Sequence, residues 1–366
     1  MQAVAALAPP PIRGFLHRPA LDLLIIAGPW LLFGTLLMSG VLRFAETNQA
    51  VWVSQFILGN TTHVVLTFLL LGFRRDVLFA TPGQAKIVII GSVLTFVATL
   101  LLVQWVASTA PFWSGFPMAV IAIFGTHHRL SQAKGIWSLY NLRASTLSMP
   151  PPSSLERTLQ KHWASVGLIA VMTAWLFTPS GPARMFPFLQ AIPNEPAFLP
   201  YATNYALAAA WVAFVLVTLF TMARSSERNI PKMLHVGSHG VGVTLAILVP
   251  AWGAIVWGSI HGLEYYFLSA RMMSARAGDT FAGPGTALGH PLLIAVLIVA
   301  SMLPLFWVGL GRAPFSIEFG SRSVASDLII AVNALVVAHY FADAFIYRFR
   351  IPEVRRVALA RLGFSQ

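Results

Sequence analysis

Histidines and carboxylates occur in pairs at helical spacing inside otherwise apolar sequence. The pairs are His235 with His239 in HVGSH, His261 with Glu264 in SIHGLEYY, and His339 with Asp343 in AHYFAD. Residues three or four apart on a helix share a face, so both members of a pair can point at one place. Ionisable side chains are costly in a membrane interior, where they usually face a polar centre and mark function. The spacing therefore predicts functional positions on three helices.

Seven of the ten histidines are candidate metal ligands because they lie close to the basic end of an apolar segment. They are His63, His127, His128, His235, His239, His261 and His339. At about 1.5 Å per residue, all seven lie within about 17 Å of that end. We expect them to face one shared polar centre, with Glu264 and Asp343 as catalytic carboxylates that ligate the metal or orient a histidine. Adjacent helical residues point about 100° apart, so only one of His127 and His128 is expected to face inward.

Imidazoles and carboxylates without sulfur suit iron, zinc, copper or manganese. The chain has no cysteine, which excludes iron–sulfur clusters and disulfides. We expect one or two iron ions, with zinc, copper or haem as alternatives, and His235, His239, His261 and His339 as the first ligands. The chain has no phosphate-binding loop and no dinucleotide fingerprint, so electrons would come from a separate donor protein or from the substrate.

Composition indicates the elements that position these residues. Hydrophobic residues make up 57% of the chain and charged residues only 10%, against about 25% charged in soluble domains. Apolar runs of about 20 residues recur, which predicts an all-α, polytopic integral membrane helical bundle. The basic residues that give the chain its net charge of +12 flank these runs. They therefore indicate contact with membrane lipids and no nucleic-acid partner.

Ten segments have spanning length: 21–42, 51–73, 87–107, 111–128, 162–179, 203–223, 233–249, 254–270, 289–311 and 325–347. Residues 132–141 are expected to continue the fourth segment as an amphipathic helix. If Pro250 marks a turn, 20 of the 24 Lys and Arg residues share one side. If it marks a kink, giving nine spans, only 15 do. The positive-inside rule thus favours ten spans, with both termini in the cytoplasm. We expect residues 1–366 to form a single transmembrane domain of a bacterial inner membrane, with short cytoplasmic tails.

Two stretches, SIHGLEYYFLS (259–269) and AHYFADAFIYRFR (338–350), resemble helix motifs of the Brp/Blh family of carotene-cleaving dioxygenases. These are membrane-bound non-haem iron oxygenases. The resemblance implies an all-helical membrane fold, histidine-ligated iron and formation of retinal from β-carotene. Both stretches lack the proline that precedes the histidine in that family, and the order of motifs differs. The HxxHH boxes of fatty-acid desaturases are absent.

The sequence therefore predicts a membrane-embedded non-haem iron mono- or dioxygenase. Its substrate would be lipid-soluble, such as a carotenoid, an isoprenoid or a fatty-acyl chain, and would enter from the bilayer. One alternative is a proton-coupled transporter that uses the His, Asp and Glu residues as a relay. It is disfavoured because Asp327 is nearly the only ionisable residue expected in the opposite leaflet. The other is a membrane protein that binds haem between two histidines, in which the carboxylates would have no role.

Overall fold

The computed structural model describes residues 13–16, 19–39, 60–73, 79, 81–109, 115–177, 198–273, 318–319, 322–346 and 351–362. The described residues are all-α apart from one antiparallel pair of two-residue strands. The helices are α1 (Pro19–Met38), α2 (Asn60–Phe73), α3 (Pro82–Thr109), α4 (Gly115–Thr146), α5 (Ser154–Phe177), α6 (Phe198–Ala223), α7 (Ile230–Leu248), α8 (Pro250–Met273), α9 (Val324–Asp343) and α10 (Pro352–Arg361). The strands are β1 (Glu318–Phe319) and β2 (Arg322–Ser323).

Most predicted segments coincide with a helix. Residues 115–128 of the fourth segment and the stretch 132–141 lie in one continuous helix, α4, as the sequence predicts. The predicted segment 289–311 lies outside the described residues, as do residues 51–59 of the second segment.

Helices α7 and α8 form a tight antiparallel hairpin around Pro250. Helix α7 ends at Leu248, and α8 begins with Pro250, whose missing N–H is no loss at the first helical position. Gly242 of α7 lies against Trp257 of α8, while Ala246, further along α7, lies against Gly253, earlier in α8. A Cβ atom on Gly253 would overlap the backbone of Ala246, so only glycine allows this approach. Pro250 therefore follows a turn and does not kink a single helix.

Two hydrophobic clusters fill the bundle, and α4 and α8 contribute to both. The first joins α2, α8 and α9 around side chains such as Leu66, Leu70 and Tyr265. The second joins the five consecutive helices from α4 through α8 around four fully buried tryptophans, namely Trp137, Trp163, Trp211 and Trp257. Because α4 and α8 lie between the clusters, polar side chains on their different flanks reach different neighbouring helices.

Two of the described helices, α3 and α6, are long and apolar enough to cross a membrane. Only 11% of the most apolar window of α3 and 28% of that of α6 are buried. Large side chains such as Leu94, Leu101 and Trp105 on α3 are exposed. A core helix of a water-soluble protein buries its apolar side chains, so this exposure is typical of a helix that faces lipid.

Candidate metal centre

Four imidazoles from four helices meet in the bundle interior. They are His63 of α2, His128 of α4, His261 of α8 and His339 of α9, referred to below as the four-histidine centre. The centroid of the His63 ring lies 4.6 Å from those of His261 and His339, and the centroid of His128 lies 5.0 Å from the same two. His63 and His128 face each other across the centre at 6.3 Å, with their planes only 12° apart. The four rings thus surround a common point.

The packing of α4 decides which of its two adjacent histidines faces inward. His128 points into the centre, whereas His127 is exposed and lies 3.5 Å from the hydroxyl of Ser131, one turn along the helix. The inward flank of α4 comes close to α9. The Tyr340 hydroxyl of α9 would be 2.7 Å from a Cβ atom on Gly125.

Asp343 completes the centre from one side. Its Oδ2 atom lies 3.5 Å from His339 Nε2 and 3.6 Å from His128 Nε2. Its Oδ1 atom accepts hydrogen bonds from the hydroxyls of Tyr265 (3.0 Å) and Thr67 (3.1 Å). One carboxylate oxygen is therefore held by hydroxyl groups, while the other faces the imidazoles.

The Thr67 hydroxyl is placed to influence which nitrogen of His339 carries the proton. Its hydroxyl oxygen lies 2.8 Å from His339 Nδ1. A hydroxyl has one hydrogen, which Thr67 can donate to Asp343 or to the His63 carbonyl. His339 then donates its Nδ1–H to Thr67, which leaves a lone pair on Nε2. Metal-bound histidines usually donate their second nitrogen to the protein in this way.

The four-histidine centre fits a metal ion by its unsatisfied atoms and by its donor types. His128 Nε2, His261 Nδ1 and His339 Nε2 are buried without a hydrogen-bond partner among the described residues, and such groups are costly unless something binds them. The Nε2 atoms of His261 and His63 are 3.2 Å apart, close to the separation of two nitrogens that share a metal at about 2.0–2.1 Å. Two ligand triads share His128, one with His63 and His261 and one with His339 and Asp343.

A second polar group lies between α7 and α8 and consists of His235, His239 and Glu264, referred to below as the carboxylate–imidazole group. His235 Nδ1 lies 2.7 Å from Glu264 Oε1, and His239 Nε2 lies 3.0 Å from both Glu264 oxygens. The ligand atoms of all three lie within 4.8 Å of one another, so spacing alone would allow a metal. All three side chains are buried.

The spacing of this second group would allow a metal, but its hydrogen bonds are less compatible with one. The Trp257 Nε1–H donates to His239 Nδ1 at 3.0 Å, so a neutral His239 carries its proton on Nε2 and donates it to Glu264. A metal at Nε2 would force that proton onto Nδ1, where it would face the N–H of Trp257. His239 is therefore oriented as a donor to Glu264. Trp257 is a determinant that the spacing of histidines did not reveal.

The structure thus divides the predicted residues between two groups instead of one shared centre. His235 and His239, expected beside His261 and His339, lie with Glu264 instead. His261 and Glu264 diverge because positions three apart differ by about 60° around the helix axis. The flank of α8 that carries His261 packs against α2, and the flank that carries Glu264 packs against α7. His127 belongs to neither group.

Comparison with known proteins adds nothing to this geometry. No family model, no curated protein and no solved structure matches the chain.

Proposed function

We propose that the chain is an integral membrane oxygenase that holds iron at the four-histidine centre and oxidises a lipid-soluble substrate with dioxygen. One observation carries this proposal: four imidazoles from four helices, three of them buried and one half-buried, converge on one point, and three of them have a ring nitrogen without a hydrogen-bond partner among the described residues. The membrane part of the proposal is a bundle of about ten spans in a bacterial inner membrane, with both termini cytoplasmic. The exposed apolar faces of α3 and α6 support it.

The donor set argues against a structural zinc site and against haem, and iron is the ion that we propose. Closed structural zinc sites usually include cysteine, which this chain lacks. A haem between His63 and His128 would need its flat ring to pass where His261 and His339 stand. Zinc and copper ions remain chemically compatible with the donor types. Iron, when bound, would supply the binding and activation of dioxygen.

The chain's own residues would then hold and orient the reaction site. The four histidines and Asp343 would bind the ion. Thr67 would keep His339 Nε2 free of a proton, and Tyr265 and Thr67 would hold Asp343 by one oxygen. A carotenoid, isoprenoid or fatty-acyl chain could reach the centre from the bilayer. Electrons not supplied by the substrate would require a separate donor protein.

A second candidate function is proton-coupled transport. The carboxylate–imidazole group favours it, because Glu264 contacts two imidazoles deep in the bundle. Transport would use this group and would not require a metal at the four-histidine centre. Metal content therefore distinguishes the two functions.

The test compares the metal content of two adjacent histidine variants. We expect purified wild-type protein to contain one or two equivalents of iron. His128→Ala should lose the metal because His128 belongs to both ligand triads. His127→Ala should keep it because that side chain is exposed and outside the centre. Elemental analysis of the three detergent-purified proteins, each checked for folding by circular dichroism, provides the measurement.

Two outcomes would contradict the proposal. One is wild-type protein that contains no metal and binds none after incubation with ferrous iron. The other is a His128→Ala variant that is folded and retains full metal content. If iron is present as expected, oxygen consumption with carotenoid and acyl-lipid substrates would show which class reacts.

A further inference from the structure

A small cavity lies between α1, α4 and α8, and it connects two buried carboxylates. Its volume is about 20 Å³, which is room for one water molecule. Its polar lining is Asp22, Tyr140 and Glu264, and the rest is apolar: Leu16, Ile25, Ile26, Ile136, Leu139 and Leu268. A buried water needs two to four polar partners, and the three polar side chains supply them.

Asp22 lies at the end of the cavity that is nearest to the N-terminal segment of the chain. It is only 1% exposed, and its Oδ2 atom accepts the backbone N–H of Leu16 at 2.7 Å and the Tyr140 hydroxyl at 3.4 Å. Two arginines also bind the segment that it holds, since Arg271 donates to the Leu16 carbonyl at 2.8 Å and Arg143 to the Phe15 carbonyl at 3.3 Å. Arg271 is seven residues after Glu264, about 10 Å along α8. The cavity therefore leads from a basic end of the bundle toward the carboxylate–imidazole group.

At the other end, the hydrogen bonds of His235 leave one nitrogen facing a carboxylate. His235 Nε2 donates to the Ala133 carbonyl at 3.0 Å, because a carbonyl can only accept. Nδ1 is buried and lies 2.7 Å from Glu264 Oε1, yet it has no aligned hydrogen-bond partner among the described residues. A nitrogen without a proton is repelled by a carboxylate oxygen at this distance, whereas a protonated imidazole is attracted to it. His239 cannot relieve this repulsion alone, since its single donated proton is shared by both Glu264 oxygens.

We propose that the carboxylate–imidazole group is a proton-binding site, and that Tyr140, Asp22 and one water in the cavity form its exchange path. The bound proton sits on His235 Nδ1 and neutralises the charge of buried Glu264, which would otherwise be uncompensated. The titratable groups that face Glu264 are His235 and His239 of α7, Tyr140 of α4 and Asp22 of α1.

The transfer needs no oxidant or reductant. The proton passes from His235 Nδ1 to Glu264, and Glu264 passes a proton to the water. The water then gives one of its own protons to Asp22, so only N–H and O–H bonds form and break. Tyr140 keeps its proton and holds the water and Asp22 in line. This proposal stands whether or not the four-histidine centre binds iron.

The first measurement is the protonation state of His235. Protein labelled with ¹⁵N in histidine is compared as wild type, as His235→Gln to assign the signal, and as Glu264→Gln. We expect the wild type at neutral pH to show one ring protonated on both nitrogens, absent in His235→Gln and neutral in Glu264→Gln. A neutral His235 ring in the wild type, or one whose signal shifts when a metal chelator is added, would overturn the proposal.

The exchange path is tested by the rate at which this imidazolium N–H exchanges with water. Tyr140→Phe keeps the ring but removes the hydroxyl, and we expect exchange to slow by about tenfold or more. Tyr205→Phe is the matched control because Tyr205 is exposed on α6. Unchanged exchange in a folded Tyr140→Phe variant, with the His235 signal intact, would refute the path.

Discussion

At the scale of single residues, the same side chain takes two roles according to what its second nitrogen contacts. His339 Nδ1 faces the Thr67 hydroxyl, which can accept its N–H and leave Nε2 available to a metal. His239 accepts the N–H of Trp257, so its Nε2 must donate to Glu264. A hydroxyl oxygen can accept a hydrogen bond, whereas an indole N–H can only donate one. That difference assigns the first histidine to the metal centre and the second to a carboxylate.

The role of Thr67 in orienting His339 can be tested directly by substitution. Thr67→Val keeps the volume of the side chain but removes the acceptor for His339 Nδ1 and a donor to Asp343. We expect iron affinity to fall about 10- to 100-fold, the usual effect of losing such a supporting hydrogen bond. Titration of metal-free protein with ferrous iron measures the affinity. Thr95→Val is the control because, among the described residues, the Thr95 hydroxyl bonds only the Gly91 carbonyl in its own helix. Equal affinity in the two variants would contradict the assigned role of Thr67.

Sequence spacing predicted two of the three pairs within helices, but not the divergence of His261 and Glu264 or the partners between helices. It brought His339 and Asp343 together and indicated that one of His127 and His128 faces inward, because both depend only on helical geometry. It could not separate the two groups, since their separation depends on which neighbour each flank of α8 meets. Thr67 and Asp22 gave no signal, because a threonine within an apolar helix and an aspartate in a first helical turn are both common without a functional role.

At the scale of helices, α4 and α8 form the framework that both polar groups share. Helix α8 supplies His261 to one group and Glu264 to the other, and α4 supplies His128 and the Ala133 carbonyl. Gln132 also links the two helices by donating to the His261 carbonyl at 2.9 Å. Apolar runs in the sequence predicted where these helices lie. How closely these helices approach each other depends on small residues at their contacts. The sequence does not show which small residues these are until the neighbouring helix is known.

The hairpin of α7 and α8 predicts a specific effect of one methyl group. Gly253→Ala would place a Cβ atom against the backbone of Ala246, which has no flexible end to move aside. We expect the free energy of unfolding to fall by about 1–3 kcal/mol, the range typical of overpacking. Gly135→Ala is the matched control, since nothing lies within 4 Å of its added Cβ atom, and it should not destabilise the protein. Thermal unfolding in detergent, followed by circular dichroism, compares the two. Equal melting temperatures would show that the helices are not packed this closely.

At the scale of the whole molecule, the distribution of charge and the exposed apolar helices point to the same environment. The basic residues flank the apolar segments, and the exposed faces of α3 and α6 are unfavourable in water. The hairpin at Pro250 returns the chain to the side it left after α6. The turn at Pro250 is the feature on which the prediction of ten spans rests.

The absence of cysteine from the chain makes this topology directly measurable, because each introduced cysteine is the only thiol present. Ser226→Cys lies in the exposed turn between α6 and α7, expected in the cytoplasm. Positions 180 and 280 lie outside the described residues, and for them the expectation rests on the predicted spans. Ser180→Cys should be on the opposite side from Ser226 in either topology, so these two variants are the controls. Thr280→Cys distinguishes the topologies.

With ten spans, Thr280→Cys lies on the same side as Ser226→Cys. A membrane-impermeant maleimide added to intact cells should then label only Ser180→Cys, and all three should react once the membrane is opened. Labelling of Thr280→Cys in intact cells would instead place one span between positions 226 and 280. In that case His261 would lie near the opposite face from His63, and the two could not share a metal centre. The topology therefore decides whether the four histidines can meet, which makes this measurement a test of the centre as well as of the fold.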